Sequence, residues 1–356
     1  MADPVKVVEP VETTGNTENL WLVTGGAGWL GTNLLNQLVA DGRQVRALAL
    51  PSEALAVRAR YGSAVEVVEG DVRDQAAVGK WAAGASDAVV VHLAGVIHPR
   101  KMADFQTINV DGTRNVLEAA LAAQAARVVV MSSNSPIGTN PTREHRFDES
   151  SPYQPYLGYG RSKQAMEELV GEFHARFGLA TTLVRAPWFY GPFQPPRQTL
   201  FFEMVRDGKA PIVGDGGNMR SMSYVDNLVQ GIELCATHAA APGRTFWVAD
   251  ARPYSMNEIV DTVEAMLEEA GIPCAHRRMR LPAVAGPFAY TVDAALQRVG
   301  LYQQKIHVLG EMDKNIACSV ERARTTLGYD PQIDLEEGMR RSIRWSIDVG
   351  HLKVPR

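Results

Sequence analysis

The stretch Leu20-Trp-Leu-Val-Thr-Gly-Gly-Ala-Gly-Trp-Leu-Gly31 limits what this chain can fold into more than any other. An apolar run short enough for a buried strand ends at Thr24. Gly25, Gly26, Gly28 and Gly31 then punctuate a turn that opens a helix over Thr32 to Ala40. Such a turn needs residues that tolerate positive φ, a backbone bare enough for a ligand to approach, and a small residue where helix meets sheet. The first-turn amides of the following helix have no internal partners and lie at the positive end of its dipole, which suits a pyrophosphate. A dinucleotide is the expected guest, and a tight structural turn is the plain alternative.

The next hundred residues repeat the strand and helix alternation. Strands are expected over Gln44 to Leu50, Ser63 to Glu69, Asp87 to Leu93 and Arg127 to Met131, with helical sequence at Ser52 to Arg60 and at about 102-124. This rhythm predicts an α/β fold with a Rossmann-type doubly wound parallel sheet. We divide the chain into a flexible lead-in at 1-18, a dinucleotide-binding domain at 19-185 to which later segments return, and a smaller, mainly substrate-binding part at 186-350. Two helices, Ser319 to Tyr329 and Leu335 to Val349, are expected to close it.

In an open α/β sheet, ligands bind beyond the carboxyl ends of the strands. Asp71, Ala94-Gly95 and Ser132-Ser133 stand just past such ends. Asp71 is placed either to accept from an adenine amine or to cap a helix over 74-83. The end of the second strand, Leu48-Ala49-Leu50-Pro51-Ser52, offers neither the acid that would bind a ribose nor an arginine for a 2′-phosphate; Arg46 and Arg58 lie off the tip.

Tyr159-Gly-Arg-Ser-Lys163 opens a helix running to about Phe177. Tyrosine and lysine four apart share a helix face, so the ammonium is expected to lower the phenol's pKa and make Tyr159 a general acid or base for an alcohol and carbonyl pair. Ser133 is placed to hydrogen-bond the same substrate oxygen.

Gly25, Gly28 and Gly31 in TGGAGWLG, the His92-Leu-Ala-Gly95 strand end, Asn109-Val-Asp-Gly-Thr113, Ser133, and Tyr159 with Lys163 together resemble the extended short-chain dehydrogenase/reductase family, over about 20 to 347. The resemblance implies NAD or NADP as cofactor, with NAD slightly favoured. It implies Tyr159 as acid/base, Lys163 lowering its pKa and contacting the nicotinamide ribose, Ser133 polarising the reacting group, and Asn109 bracing the catalytic helix. The cofactor is expected against Gly25, Gly28, Trp29, Leu30 and Gly31 at the turn, and against Asp71, Val72, Leu93, Ala94 and Gly95 at the next strand ends. Asn109, Tyr159, Lys163 and Pro187 complete that set.

Asn134 and Ser135 stand where dehydratase-like members carry an acid, which argues against dehydration. Arg220 matches the place of a diphosphate-binding arginine, or is an exposed loop residue. Trp188 replaces the asparagine of sugar-nucleotide enzymes, and the second diphosphate arginine has no clear match. The apolar helical segment Leu281 to Leu309 resembles the 3β-hydroxysteroid dehydrogenase branch. Substrate contacts are expected at Asn134, Trp188, Arg197 and Arg220. His92 and His98 read as structural. A nucleoside-diphosphate sugar is favoured over a hydrophobic ketone or alcohol, and a dinucleotide-sensing protein without turnover is the rival from outside enzymology.

A net charge of -4 gives no reason to expect nucleic acid. The three cysteines show no metal spacing, so no metal is expected, and reduced thiols fit a cytoplasmic protein. The N-terminus lacks the pattern of a signal peptide. Pro282, Gly286, Pro287, Asp293 and Arg298 interrupt the most apolar late segment, arguing against a membrane span. A homodimer through the helices carrying Asn109 and Tyr159 is the assembly the resemblance suggests.

Overall fold

A computed structural model describes residues 19–354; the flexible lead-in expected at 1-18 lies outside them. Seven parallel strands form the central sheet: β1 (Trp21–Thr24), β2 (Val45–Ala49), β3 (Val65–Glu69), β4 (Val89–His92), β5 (Arg127–Ser133), β6 (Thr181–Ala186) and β7 (Thr245–Trp247), in spatial order β7-β6-β5-β4-β1-β2-β3. The doubly wound Rossmann-type fold expected from the alternation is therefore present. Strand order reverses between β1 and β4, where Thr24 pairs in register with His92, and such a switch opens a crevice for a ligand.

Helices α1 (Trp29–Ala40), α2 (Pro51–Tyr61), α3 (Gln75–Ala82), α4 (Gly112–Ala122) and α5 (Leu157–Phe177) alternate with the strands. α1 begins at Trp29 rather than Thr32, because Gly28 itself takes the cap position. Asp74, not Asp71, caps α3, accepting from the amides of Ala76 and Ala77 at 3.0 and 3.2 Å. The stretch expected as helix at 102-124 opens with a widened turn over Phe105–Asp111 before becoming regular. β5 runs two residues past its expected end, so Ser133 belongs to the strand. α5 starts two residues before Tyr159 and stops at Gly178, whose φ of 69° closes the last turn.

The valine-rich β4 and β5 are buried on both faces, as a covered parallel strand should be. One core layer, including Leu34, Leu38 and Val91, lies on one face; the other, including Val90, Val130, Leu169 and Phe173, packs α5 on the opposite face.

Beyond β6 the chain adds α6 (Pro196–Arg206), α7 (Val225–Thr237), α8 (Met256–Glu269), α9 (Ala285–Arg298), α10 (Gln304–Glu311), α11 (Glu321–Leu327) and α12 (Leu335–Asp348), with short strand pairs between them. α11 is shorter at both ends than its expected span. A third core, containing Phe202, Ile259, Val263, Met339 and Ile343, joins α6, α8 and α12. α9 and α10 form a hairpin whose inner face meets the start of α5.

Candidate functional site

The glycine turn is shaped for a close approach. Gly25 adopts φ 71°, and a Cβ there would stand 2.8 Å from the Ala94 amide nitrogen, so the turn after β1 lies directly on the chain leaving β4. A Cβ on Gly31 would fall 2.0 Å from the Gly25 carbonyl oxygen. Gly28 is open by comparison, meeting only that same oxygen at 3.2 Å. No side chain caps α1, which leaves its first-turn amides at the crevice for an anion. Trp29 and Leu30 form the first turn. Trp29 donates its indole N–H to the Pro192 carbonyl at 2.8 Å and packs at a tilt against Phe189, ring centroids 4.8 Å apart. These features fit a dinucleotide pyrophosphate.

Behind the turn runs a buried relay whose polarity is settled by its donors. The Ala94 amide donates to Thr24 Oγ1 at 3.2 Å, leaving the Thr24 hydroxyl to donate to His92 Nδ1 at 2.7 Å. Thr113 donates to the Asn109 carbonyl at 2.7 Å, so its oxygen accepts from His92 Nε2 at 2.9 Å. His92 is thus a neutral spacer between the glycine turn and the Asn109 segment, the structural role its sequence context suggests. Burial, and secondarily the Lys163 charge, lowers it to about 3.

Asn109 accepts from the Val96 amide at 2.8 Å and donates to the Val96 carbonyl and to Ser162 Oγ, both at 3.0 Å. It therefore joins the loop after β4 to the helix carrying Tyr159 and Lys163. A Cβ on Gly95 would stand 3.2 Å from Asn109 Oδ1 and 3.6 Å from Lys163 Nζ, so glycine keeps this meeting point clear.

Ser133, Tyr159 and Lys163 converge at the end of β5. A Cβ on Gly160 would lie 2.5 Å from the Ser135 carbonyl, and this close approach brings the first turn of α5 against the Ser133 loop. Glu167 anchors the helix one turn on. Its carboxylate accepts from Arg185 of β6 at 2.6 Å and from Ser132 of β5 at 2.5 Å, with Tyr153 at 2.9 Å.

The expected lowering of the Tyr159 phenol is overturned. Burial pushes it above its ordinary range, the Ser133 hydroxyl pulls the other way, and the Glu311 carboxylate raises it further. Lys163 donates to the Met131 carbonyl at 2.8 Å, and burial lowers its own pKa to about 8. The site thus presents a neutral phenol beside a serine hydroxyl.

Asp71 is held by Arg73, whose guanidinium and backbone amide both donate to it and lower its carboxyl. Val72 is buried, and Gly112 packs against it. Arg46 pairs with Glu66 at 2.7 Å and Arg58 with Glu69 at 2.6 Å, so both cations beside the second strand already have carboxylate partners. Leu93 packs on the core and Pro187 is buried just beyond β6.

Of the expected substrate residues, the fold brings Arg220 and Trp188 together, the guanidinium lying 5.8 Å from the ring centroid. Arg220 is buried, not exposed. It donates to the Glu311 carbonyl and its Nε finds no hydrogen-bond partner; burial lowers its pKa, while the Glu311 and Asp313 carboxylates act on its charge from nearby. Asn134 is half-buried and sits beside Ser133, its Oδ1 3.4 Å from the serine hydroxyl. Arg197 stands elsewhere on the rim with His98 and Tyr302; its charge helps lower His98 to about 4, after burial.

The roof of this site comes from α9 and α10, far along the chain from Tyr159. Gln297 of α9 accepts from the Gly158 amide, in the first turn of α5, at 3.0 Å and donates to Asp293 at 3.1 Å. Asp293, fully buried, also pairs with His307 of α10 at 2.7 Å. His98 meets the Tyr302 hydroxyl at 2.6 Å, and Tyr302 packs on Phe105, which packs on Tyr159. The available signal was Asp293 and Gln297 four apart on the same face as Gly286 and Ala289, a polar pair on a buried stripe.

A family model described as the NAD dependent epimerase/dehydratase family matches residues 21–249. The chain is 49% identical over 343 residues to the uncharacterized protein y4nL of Sinorhizobium fredii, covering 93% of this chain and 96% of that one. It is 29% identical over 369 residues to 3beta-hydroxysteroid-dehydrogenase/decarboxylase isoform 1 of Arabidopsis thaliana, covering 95% and 81%. It is 29% identical over 332 residues to an N-acetyl-alpha-D-glucosaminyl-diphospho-ditrans,octacis-undecaprenol 4-epimerase of Escherichia coli O157:H7, covering 91% and 94%. With the switch-point crevice and the Ser133, Tyr159 and Lys163 cluster, these similarities mean that the chain belongs to the NAD dependent epimerase/dehydratase family.

Proposed function

We propose that this chain is an NAD(P)-dependent oxidoreductase or epimerase acting on a secondary alcohol or its ketone, borne by a sugar linked to a diphosphate. The observation that carries the substrate class is Arg220, a buried guanidinium whose Nε has no hydrogen-bond partner. Such a group suits a doubly charged phosphate ester, which guanidinium binds through two oxygens. Arg220 and Tyr159 both neighbour Glu311, so a diphosphate at the first places an attached sugar toward the second. The 4-epimerase relative acts, by its name, on a sugar joined to a diphosphate.

The turn at Gly25 to Gly31, Asp71 and Lys163 would hold the dinucleotide, NAD being slightly favoured. Bound there, its nicotinamide supplies hydride acceptance and donation. Tyr159, neutral through burial, gives its proton to the oxygen of a ketone as the carbonyl carbon is reduced, and takes it back in the reverse direction. Ser133 donates to the same oxygen and stabilises its developing charge. Starting from the Tyr159 phenolate, which takes the alcohol's proton as the alcohol is oxidised, rotation of the bound ketone and reduction on its other face, with the phenol returning that proton, give net epimerisation. Asn134 and Ser135 are not acids, so no residue at those positions drives dehydration.

Arg220→Ala tests the substrate class: affinity for UDP-hexoses should fall about tenfold or more while NAD binding stays, and unchanged affinity rejects it. Tyr159→Phe tests the chemistry; turnover near wild type would remove Tyr159 from it.

A second reading, a reductase or dehydrogenase of a hydrophobic ketone or alcohol, is favoured by the aromatic roof of Phe105, Tyr302 and His98 over Tyr159. A substrate screen that follows nicotinamide absorbance with both NAD and NADP separates it from a redox-neutral epimerase.

A further inference from the structure

The α9–α10 hairpin turns two different faces to its surroundings. Inward it presents Gly286, Ala289, Asp293, Gln297 and His307, all buried. Outward it presents apolar side chains. Phe288 is 73% exposed, Val284 72%, Val299 71% and Leu301 56%, with Val308 at 41% on α10. Val284 and Phe288 stand four apart, followed around the same helix face by Thr291, Ala295 and Val299. This is a stripe of the kind a water-facing helix does not carry without a partner.

Charge is segregated on the same segment. Between Gly271 and Gly310 the sequence holds five lysines and arginines, namely Arg277, Arg278, Arg280, Arg298 and Lys305, and a single acid, Asp293. Asp293 is fully buried against His307 and Glu311, which ends α10, is only partly exposed beside the same His307, while Arg277, Arg280, Arg298 and Lys305 are exposed. Arg278 is satisfied by Asp261 and Glu264. Forty residues of a chain with net charge -4 therefore expose cations and apolar groups with no exposed acid between them. Large apolar side chains flanked by lysine and arginine suit an anionic interface: the chains enter the acyl boundary and the cations meet headgroup phosphates. No helix among the described residues is long and apolar enough to cross a membrane, so the mode is lying on the surface.

We propose that the outer face of the α9–α10 hairpin docks this protein onto an anionic lipid bilayer. Seated there, the hairpin roofs the site from the membrane side, with Gln297 and Asp293 linking the docked element to the first turn of α5.

The test is flotation of the full chain with vesicles of phosphatidylglycerol and phosphatidylcholine, and with phosphatidylcholine alone. Binding to the anionic vesicles, reduced by high salt, is expected, with weak or no binding to the neutral ones. Val284→Ser with Phe288→Ser, and separately Arg298→Glu with Lys305→Glu, should each weaken binding about tenfold while leaving thermal melting unchanged. No binding to anionic vesicles, or binding by both double variants as strong as that of the wild type, overturns the proposal. A dimer in vesicle-free buffer that Phe288→Ser dissociates, without vesicle binding, also overturns it and assigns the face to a second copy. Should the variants fail to fold, hydrogen exchange on the wild type decides: backbone amides of 284–301 should slow on addition of anionic vesicles, and unchanged rates reject docking.

Discussion

Lys163 Nζ donates to the carbonyl of Met131 at 2.8 Å, tying the helix of Tyr159 to the strand that ends in Ser133. The bond aims a buried ammonium at the chain leaving β4, where Gly95 comes within 3.6 Å of it measured from an added Cβ. Burial lowers this amine from 10.5 to about 8. Its sign in stability follows directly. Between about 8 and 10.5 the unfolded chain binds the proton and the folded one does not, so folding becomes more favourable as pH rises through that window. Lys163→Met should flatten this rise in chemical denaturation between pH 8 and pH 10. It should also cost turnover about a hundredfold, because the helix of Tyr159 loses its tie to the strand that ends in Ser133. A variant with the wild-type rise would show that Lys163 does not titrate there.

Gly31→Ala should weaken cofactor binding with little unfolding. The added methyl would fall 2.0 Å from the Gly25 carbonyl, and both groups are backbone-held, so the turn itself must open. Calorimetric titration with NAD should show affinity lower by about a hundredfold, the equivalent of a few kcal/mol of strain. Gly28→Ala, with a single neighbour at 3.2 Å, should retain the fold and lose less affinity.

The parts legible in the sequence were those with a local signature. The turn at Gly25 to Gly31 announces strand, bend and helix through residues next to one another, and the uninterrupted valines of β4 and β5 announce burial on both faces. The placement of Ser133 at a strand end and of Tyr159 and Lys163 at a helix start was legible because both signals are themselves local. The behaviour of Tyr159 was not. Spacing places Lys163 on its face, but only the packed structure shows that the ammonium reaches Met131 and that burial governs the phenol. Arg220 sat in a turn-rich stretch that suggested exposure, whereas a bridge to Ile316 buries it, a pairing across nearly a hundred residues. The hub of Asp293, Gln297 and His307 was hidden for the same reason: periodicity marks a buried face without saying what covers it.

His92 should make the fold acid-sensitive. Its neutral form accepts from Thr24 and donates to Thr113, and a second ring proton would face the Thr24 hydroxyl proton. The unfolded imidazole takes its proton near 6.5, whereas in the fold it does so only at about 3. Stability is therefore lost as pH falls through that interval, with a slope approaching about 1.4 kcal/mol per pH unit. His92→Gln should lower the melting temperature at pH 7 yet show a shallower fall between pH 6 and pH 4 than the wild type. Parallel curves would assign the acid limb to other groups.

Gln297 should act on Tyr159 without touching it. Its side-chain oxygen accepts from the Gly158 amide, one of the first-turn donors that a helix cannot satisfy internally. Asp293 orients that amide side chain and is itself held by His307, whose pKa is raised because its bonds to Asp293 and its proximity to Glu311 outweigh the effect of burial. Gln297→Met keeps the volume and removes both hydrogen bonds. The Gly158 amide should then exchange with solvent about tenfold faster or more, and kcat should fall about tenfold while NAD affinity and KM stay within about twofold. His307→Asn, which keeps a donor for Asp293, should retain more activity than His307→Leu, which leaves a buried carboxylate without its partner. If Gly158 exchange and kcat both stay at wild-type values in Gln297→Met, the roof does not position the catalytic helix.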